Sequence, residues 1–98
     1  MNNNSIVKEL RNMSFEKAQE RAMEMIKGNN NLEELKAISY GIFSHTENHN
    51  DIMRETIVER LCSTKRYMLE SKIDINSERG QKIIKQSKLA KYRKYLVA

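Results

Sequence analysis

The chain has 98 residues, of which 39% are apolar and 32% charged, and its 18 basic and 13 acidic side chains give a formal net charge of +5. This length suits one domain with a single modest core and excludes two independent cores. Proline is absent and only three glycines occur, which removes the usual turn residues of β-sandwiches and hairpins. We therefore predict an all-α fold, a small bundle of four or five helices.

Nothing in the sequence indicates export or a membrane span. Residues 1–4 have neither the basic patch nor the apolar run of an export signal. No apolar run approaches the length of about 20 residues that a membrane span requires. Cys62 is the single cysteine, which excludes an internal disulfide. We expect a cytoplasmic protein with no membrane partner.

The first part of the chain has the signals of two helices. Residues 5–11 predict a short first helix with apolar residues on one side. Ser14 is placed as the N-cap of a second helix over residues 15–27, whose apolar residues recur at helical spacing. Gly28 follows in the position where a left-handed C-cap costs glycine least. The pattern predicts that this helix ends there.

A third helix is predicted directly after the asparagine-rich turn. Asn31, with Glu34 three residues later, resembles a capping box at its start. Gly41 is expected to close it, because glycine is the usual residue just past a helix end. The second and third helices would then form an αα-hairpin.

A polar segment separates these helices from a fourth. Residues 44–50 are wholly polar and predict a loop, and Asn48 or Asn50 is placed to cap the helix that follows. Ser63 and Thr64 offer the backbone competing hydrogen bonds, but we expect the fourth helix to continue through them.

Residues 76–98 carry the net charge of the protein. They contain seven basic side chains against one acidic side chain, whereas residues 1–75 contain 11 basic and 12 acidic ones. Asn76 or Ser77 is placed to cap one final helix. We predict a basic C-terminal helix over residues 76–98, docked on a core domain formed by residues 1–75.

The candidate binding residues of this final helix alternate cations with tyrosines. The cations would contact phosphates, and the tyrosines would anchor the helix or stack on bases. A plainer interpretation is that the tyrosine and leucine arc docks on the domain while the lysine stems extend past it to water. The candidates are Lys82, Lys85, Lys88, Lys91, Tyr92, Arg93, Lys94 and Tyr95.

Other candidate sites are incomplete. Four possible metal ligands lie close together in the sequence: His45, Glu47, His49 and Asp51. No further histidine and no second cysteine completes a tetrahedral metal site, so we expect a hydrated loop and no metal. Cys62 beside an apolar helix face predicts a small buried side chain rather than a nucleophile. No catalytic or cofactor motif is present, so we expect a non-enzymatic protein without cofactors.

Two segments of the middle region resemble a known group of domains. Residues 31–36 (NLEELK) and 55–61 (ETIVERL) are similar to the two short helices of the SAP and Rho-N-terminal-like helix-extended-helix group. The resemblance implies two helices flanking an extended link, and many members of that group bind DNA or RNA. The link here is several residues longer, and His49, Asn50, Asp51 and Ile52 stand where members carry a small residue and a lysine. The resemblance therefore extends to the fold alone.

Two functions are compatible with this pattern. The first is a small accessory or regulatory protein that binds DNA or RNA through the basic helix. The second is an interaction module, subunit or inhibitor whose basic helix docks on an acidic surface of a partner protein, such as a nucleic-acid enzyme. Pairing of the final helix with a copy of itself would give a homo-oligomer.

Overall fold

The computed structural model of the protein describes residues 3–45 and 56–97. These two ranges contain six α-helices and one 3₁₀ turn. No strand occurs in these two ranges, which confirms the predicted all-α class. None of the helices described is long and apolar enough to cross a membrane. In chain order the elements are α1 (Asn3–Arg11), α2 (Phe15–Ile26), α3 (Leu32–Phe43), α4 (Ile57–Glu70), α5 (Glu78–Gln86), the 3₁₀ turn (Ala90–Tyr92) and α6 (Arg93–Leu96).

Three helices begin where local capping chemistry predicts. Ser14, Asn31 and Ser77 are the N-caps of α2, α3 and α5, and each side-chain oxygen accepts a hydrogen bond from the backbone N–H three residues later. Such a bond satisfies one of the N–H groups that the first turn of a helix leaves without a partner. Gly28, just past α2, has a φ of +72°, which confirms its predicted left-handed position.

One apolar cluster joins all six helices. The first helix, α1, packs chiefly on α3, while α3 also contacts α2 and α4, and α6 rests on α2 and α4. Because the last part of the chain contributes to the cluster, the residues after Ser77 pack on the same core as α1–α4. The buried members are Ile6, Leu10, Ala18, Ala22, Met25, Ile26, Leu35, Ala37, Ile38, Ile42, Val58, Leu61, Cys62, Met68, Ile84, Leu89 and Leu96.

Gly41 lies inside α3 and does not close it, so that prediction was wrong. The helix continues to Phe43. Gly41 is buried against α1, and a Cβ atom at this position would lie 2.8 Å from both Cβ and Cδ1 of Leu10. The glycine therefore serves the close approach of two helices, and its helix-ending preference is overridden by packing.

The helix α4 begins at Ile57. Its N-cap is Thr56, which has extended backbone angles and a side-chain oxygen that accepts a backbone hydrogen bond from the first turn. The predicted caps, Asn48 and Asn50, lie outside the described residues, and a continuous helix from either of them is excluded by the extended conformation of Thr56. The prediction that α4 continues through Ser63 and Thr64 is confirmed.

The predicted single C-terminal helix is divided by a turn at residues 87–89. The Leu89 N–H donates to the Ile84 carbonyl and the Lys88 N–H donates to the Lys85 carbonyl, both over 3.1 Å, which is the Schellman arrangement. Lys88 adopts a left-handed φ of +59°. That conformation costs roughly 1–2 kcal/mol, whereas burying a leucine contributes about 1.5–3 kcal/mol. Because Leu89 is fully buried, the turn is favoured over a continuous helix.

The end of α4 has the same geometry. The Ile73 N–H donates to the Met68 carbonyl over 2.9 Å, and the Lys72 N–H donates to the Leu69 carbonyl over 3.2 Å. Lys72 has a left-handed φ of +54°. In both turns a lysine, Lys88 or Lys72, occupies the left-handed position where glycine is usual. In both, an apolar residue follows a buried apolar residue by five positions, as Leu89 follows Ile84 and Ile73 follows Met68.

Candidate functional site

The cations between residues 79 and 94 are exposed, and no carboxylate of the described residues pairs with them. Within the part of the chain that the structure describes, the salt bridges join Arg21 to Glu9, Lys36 to Glu33 and Arg66 to Glu59, and none involves this segment. The charge of the segment is therefore not neutralised by the described body of the protein. The exposed cations are Arg79, Lys82, Lys85, Lys88, Lys91, Arg93 and Lys94.

Three of these cations share one face of α5. Arg79, Lys82 and Lys85 follow one another at intervals of three residues in a regular α-helix. At about 100° per residue they cover an arc of roughly 120°. Gly80 and Ile84, which are buried, occupy the opposite side. The helix thus turns its apolar face inward and presents a row of positive charge to solvent.

The second group of cations lies beyond the turn. Lys88, Lys91 and Lys94 recur every three residues and are exposed, while Leu89 and Leu96 are buried. The inward residues fix the chain on α2 and α4, so the lysines are left on the outside. These three lysines therefore lie on a segment that packs on the core.

Tyr92 and Tyr95 contact the core directly. Both side chains are half-buried and pack against the apolar cluster. The Nζ of Lys91 lies 5.4 Å from the centroid of the Tyr92 ring, and the Nζ of Lys94 lies 5.2 Å from the centroid of the Tyr95 ring. At these distances a cation is attracted to the ring face. This arrangement favours the anchoring role for both tyrosines over stacking on a ligand.

Two arginines tie the basic segment together. The Arg93 guanidinium donates to Oδ1 of Asn76 over 3.0 Å, which brings the start of α6 next to the start of α5. The Arg60 guanidinium, from α4, donates to the Ser87 carbonyl at the end of α5. The contribution of Arg60 could not be found from the sequence, because the two residues are 27 positions apart.

The residues considered for a metal site do not form one within the described ranges. Glu47, His49 and Asp51 lie outside these ranges. His45 is engaged elsewhere: its Nε2 donates to the Leu10 carbonyl over 2.6 Å, and its ring packs at 5.9 Å from that of Phe15. Among the described residues no group of histidine, cysteine and acidic side chains is placed to hold a metal ion.

Cys62 is buried in the core on α4, as predicted. Burial in apolar surroundings raises the pKa of its thiol to about 12. Almost no thiolate is then present near neutral pH, and the thiolate is the nucleophilic form. We expect Cys62 to resist labelling by a thiol reagent in the native protein and to react within minutes after unfolding in urea. Rapid labelling of the native protein would contradict this environment.

Lys65 is a charged residue buried inside the fold. Its side chain is only 2% exposed, and its Nζ donates to the Ile26 carbonyl at the end of α2 over 2.8 Å. Burial lowers the pKa of this amine to about 8. No feature of the sequence marks it, because its environment is created by the contact of α2 with α4.

The chemistry available at the surface is therefore that of anion binding. Exposed ammonium and guanidinium groups donate hydrogen bonds to phosphate or carboxylate oxygens. No family model, curated protein or solved structure matches the chain.

Proposed function

We propose that the protein is a non-enzymatic nucleic-acid-binding accessory or regulatory protein, which binds DNA or RNA phosphates through the exposed cations of α5, the turn and α6. The observation that carries the proposal is the exposure of these cations, which form no salt bridge with a carboxylate among the described residues. A body of nearly neutral charge with one cationic segment is what a polyanion would recognise.

The contacts that hold the basic segment, residues 79–94, on the core also support the proposal. Leu89 and Leu96 hold it on the core, Arg60 bonds to its central turn at Ser87, and Arg93 joins its last part to Asn76, just before its start. Cations fixed on a folded surface lose less conformational freedom on binding than cations on a flexible tail. A supported basic surface therefore favours a binding role over simple solubility.

A second candidate function is docking on an acidic protein. It is favoured by an open groove of about 500 Å³ beside α6, in which Met13, Met23 and Tyr95 supply apolar surface. Methionine-rich surfaces adapt to many protein partners. The charged residues of the groove, Glu20 and Glu24 with Lys17 and Arg21, balance one another and offer an acidic partner no net attraction, so we rank this function second.

Charge-neutralising variants test the proposal. The triple variant Lys82→Gln, Lys85→Gln, Lys88→Gln should weaken binding to a labelled DNA duplex by roughly 10- to 100-fold at physiological salt. If about four cations engage phosphates, the logarithmic salt slope of the wild-type affinity should be about −3.6, and the variant should bring it toward about −1. Fluorescence anisotropy at several salt concentrations gives both quantities.

A matched control removes the same charge elsewhere. Lys8, Lys17 and Lys36 are exposed on α1, α2 and α3, and replacing all three by glutamine changes the net charge equally. Equal loss of binding in the two triple variants, or an affinity that ignores salt, would contradict the proposal. Retention of a protein partner by a wild-type protein that leaves DNA and RNA unbound would favour the second candidate.

A further inference from the structure

An open groove separates α4 from α5 next to the basic segment. It has a volume of about 370 Å³ and is lined by Ser63, Thr64, Tyr67, Ile83, Gln86 and Ser87. The lining is mostly hydroxyl and amide groups, and Ile83 is its one aliphatic side chain. Such a lining offers hydrogen bonds to a polar ligand and little apolar surface to a partner helix.

Tyr67 supplies an aromatic face to this groove. Its side chain is 50% exposed, although it stands on a helix whose other large residues are mostly buried. Within the described ranges its ring makes no aromatic or cation contact, in contrast to Tyr92 and Tyr95, whose rings are covered by lysines. Tyr67 is therefore the tyrosine near the basic segment with a ring face available to a ligand.

Charged residues of both signs border the groove. Lys82 lies one helical turn before Gln86 on α5, and the Arg60 guanidinium closes the other side at Ser87. Glu70, one turn after Tyr67 on α4, is the acidic residue nearest to it on that helix. A flat aromatic face bordered by cations and hydrogen-bonding groups complements a nucleotide, in which an aromatic base is joined to a phosphate.

We propose that this groove binds one base of a single-stranded nucleic acid, stacked on Tyr67, with the adjoining phosphates on Lys82 and its neighbours. This inference rests on the proposed function and specifies its ligand. Only a single strand has a base face free to stack on a side chain, because duplex bases cover one another. The hydroxyl and amide groups of the groove then meet the base edge.

The test compares tyrosine variants on single-stranded and duplex DNA. The ligands are labelled oligothymidine of about 15 nucleotides and a duplex of the same length. Tyr67→Ala should weaken binding of the single strand by roughly 5- to 100-fold and leave duplex binding nearly unchanged. Tyr67→Phe, which keeps the ring, should bind like the wild type.

Tyr40 provides the matched control. It is 70% exposed on α3, away from the groove, so Tyr40→Ala should alter neither affinity. Circular dichroism of each variant confirms that the fold is retained. Equal affinities of Tyr67→Ala and the wild type for the single strand, or an equal loss on both ligands, would overturn the inference while leaving the proposed function in place. A wild-type protein that binds neither ligand would overturn both.

Discussion

Replacing Gly80 with alanine is expected to lower the free energy of unfolding by about 3 kcal/mol, and the midpoint of thermal unfolding by about 10–20 °C. A Cβ atom at this position would lie 2.3 Å from the Asp74 carbonyl oxygen and 2.8 Å from that of Ile75. The Asp74 oxygen cannot retreat freely, because it accepts hydrogen bonds from the N–H and Oγ of Ser77. The first turn of α5 would have to move away from the turn that precedes it.

Gly28→Ala is the control for this variant. Gly28 also has a special role, with its φ of +72°, but a Cβ atom there would meet nothing within 4 Å. Its replacement should cost only about 1 kcal/mol, through backbone conformation. Thermal unfolding followed at 222 nm measures both variants. A Gly80→Ala protein as stable as Gly28→Ala would show that the close packing at Gly80 is not maintained in solution.

The second large effect concerns the pH dependence of stability at Lys65. Burial lowers the pKa of this amine from 10.5 to about 8. Between those values the unfolded chain binds more protons than the native one, so the free energy of unfolding should rise as pH increases through 8. The stabilisation is complete only above the unfolded pKa and is lost as pH falls through the folded pKa. We expect a gain of about 1 kcal/mol between about pH 7 and pH 9.

Lys65→Met isolates this contribution. Methionine fills a similar volume without a charge, and the Ile26 carbonyl keeps a hydrogen bond from the Asn29 N–H over 3.0 Å. The raised pKa of Cys62 acts in the opposite direction above pH 9, because the native thiol holds its proton longer than the unfolded one. Cys62 is present in both the wild type and Lys65→Met, so its contribution largely cancels when their pH dependences are compared. Urea unfolding at several pH values should show a rise in the free energy of unfolding in the wild type alone. If this free energy depends on pH in the same way in both proteins, a buried amine at Lys65 is excluded.

Features governed by neighbouring residues could be predicted from the sequence. Ser14, Asn31 and Ser77 cap helices because a short polar side chain reaches an N–H only three residues away. Gly28 adopts a left-handed conformation because it directly follows the end of α2, which is likewise a local property. The all-α class follows from helical spacing of apolar residues and the lack of proline, both of which are properties of short windows.

Features set by distant contacts could not be predicted. The role of Gly41 depends on Leu10 in another helix, and the burial of Lys65 depends on where α2 ends. The turn at Lys88 lacks the glycine that usually marks such a site. A weaker signal was present: Leu89 follows Ile84 by five positions, as Ile73 follows Met68 at the end of α4.

The candidate site was predictable in its charge and not in its shape. The excess of lysine and arginine over residues 76–98 is a count that the sequence provides directly. The groove beside Tyr67 exists only because α4 and α5 meet there, and no short stretch of sequence indicates that contact. The distinction between covered and available tyrosine rings likewise requires the fold.

Under the proposed function, the turn at residues 87–89 also limits the length of a nucleic-acid strand that each molecule would occupy. An unbroken helix over residues 78–96 would be about 28 Å long, whereas α5 alone spans about 13 Å. With α6 returning to Asn76, the cations are concentrated over a length that matches about four phosphates on one strand of a duplex. Each molecule would then leave most of a long strand uncovered, so coating such a strand would need many copies side by side.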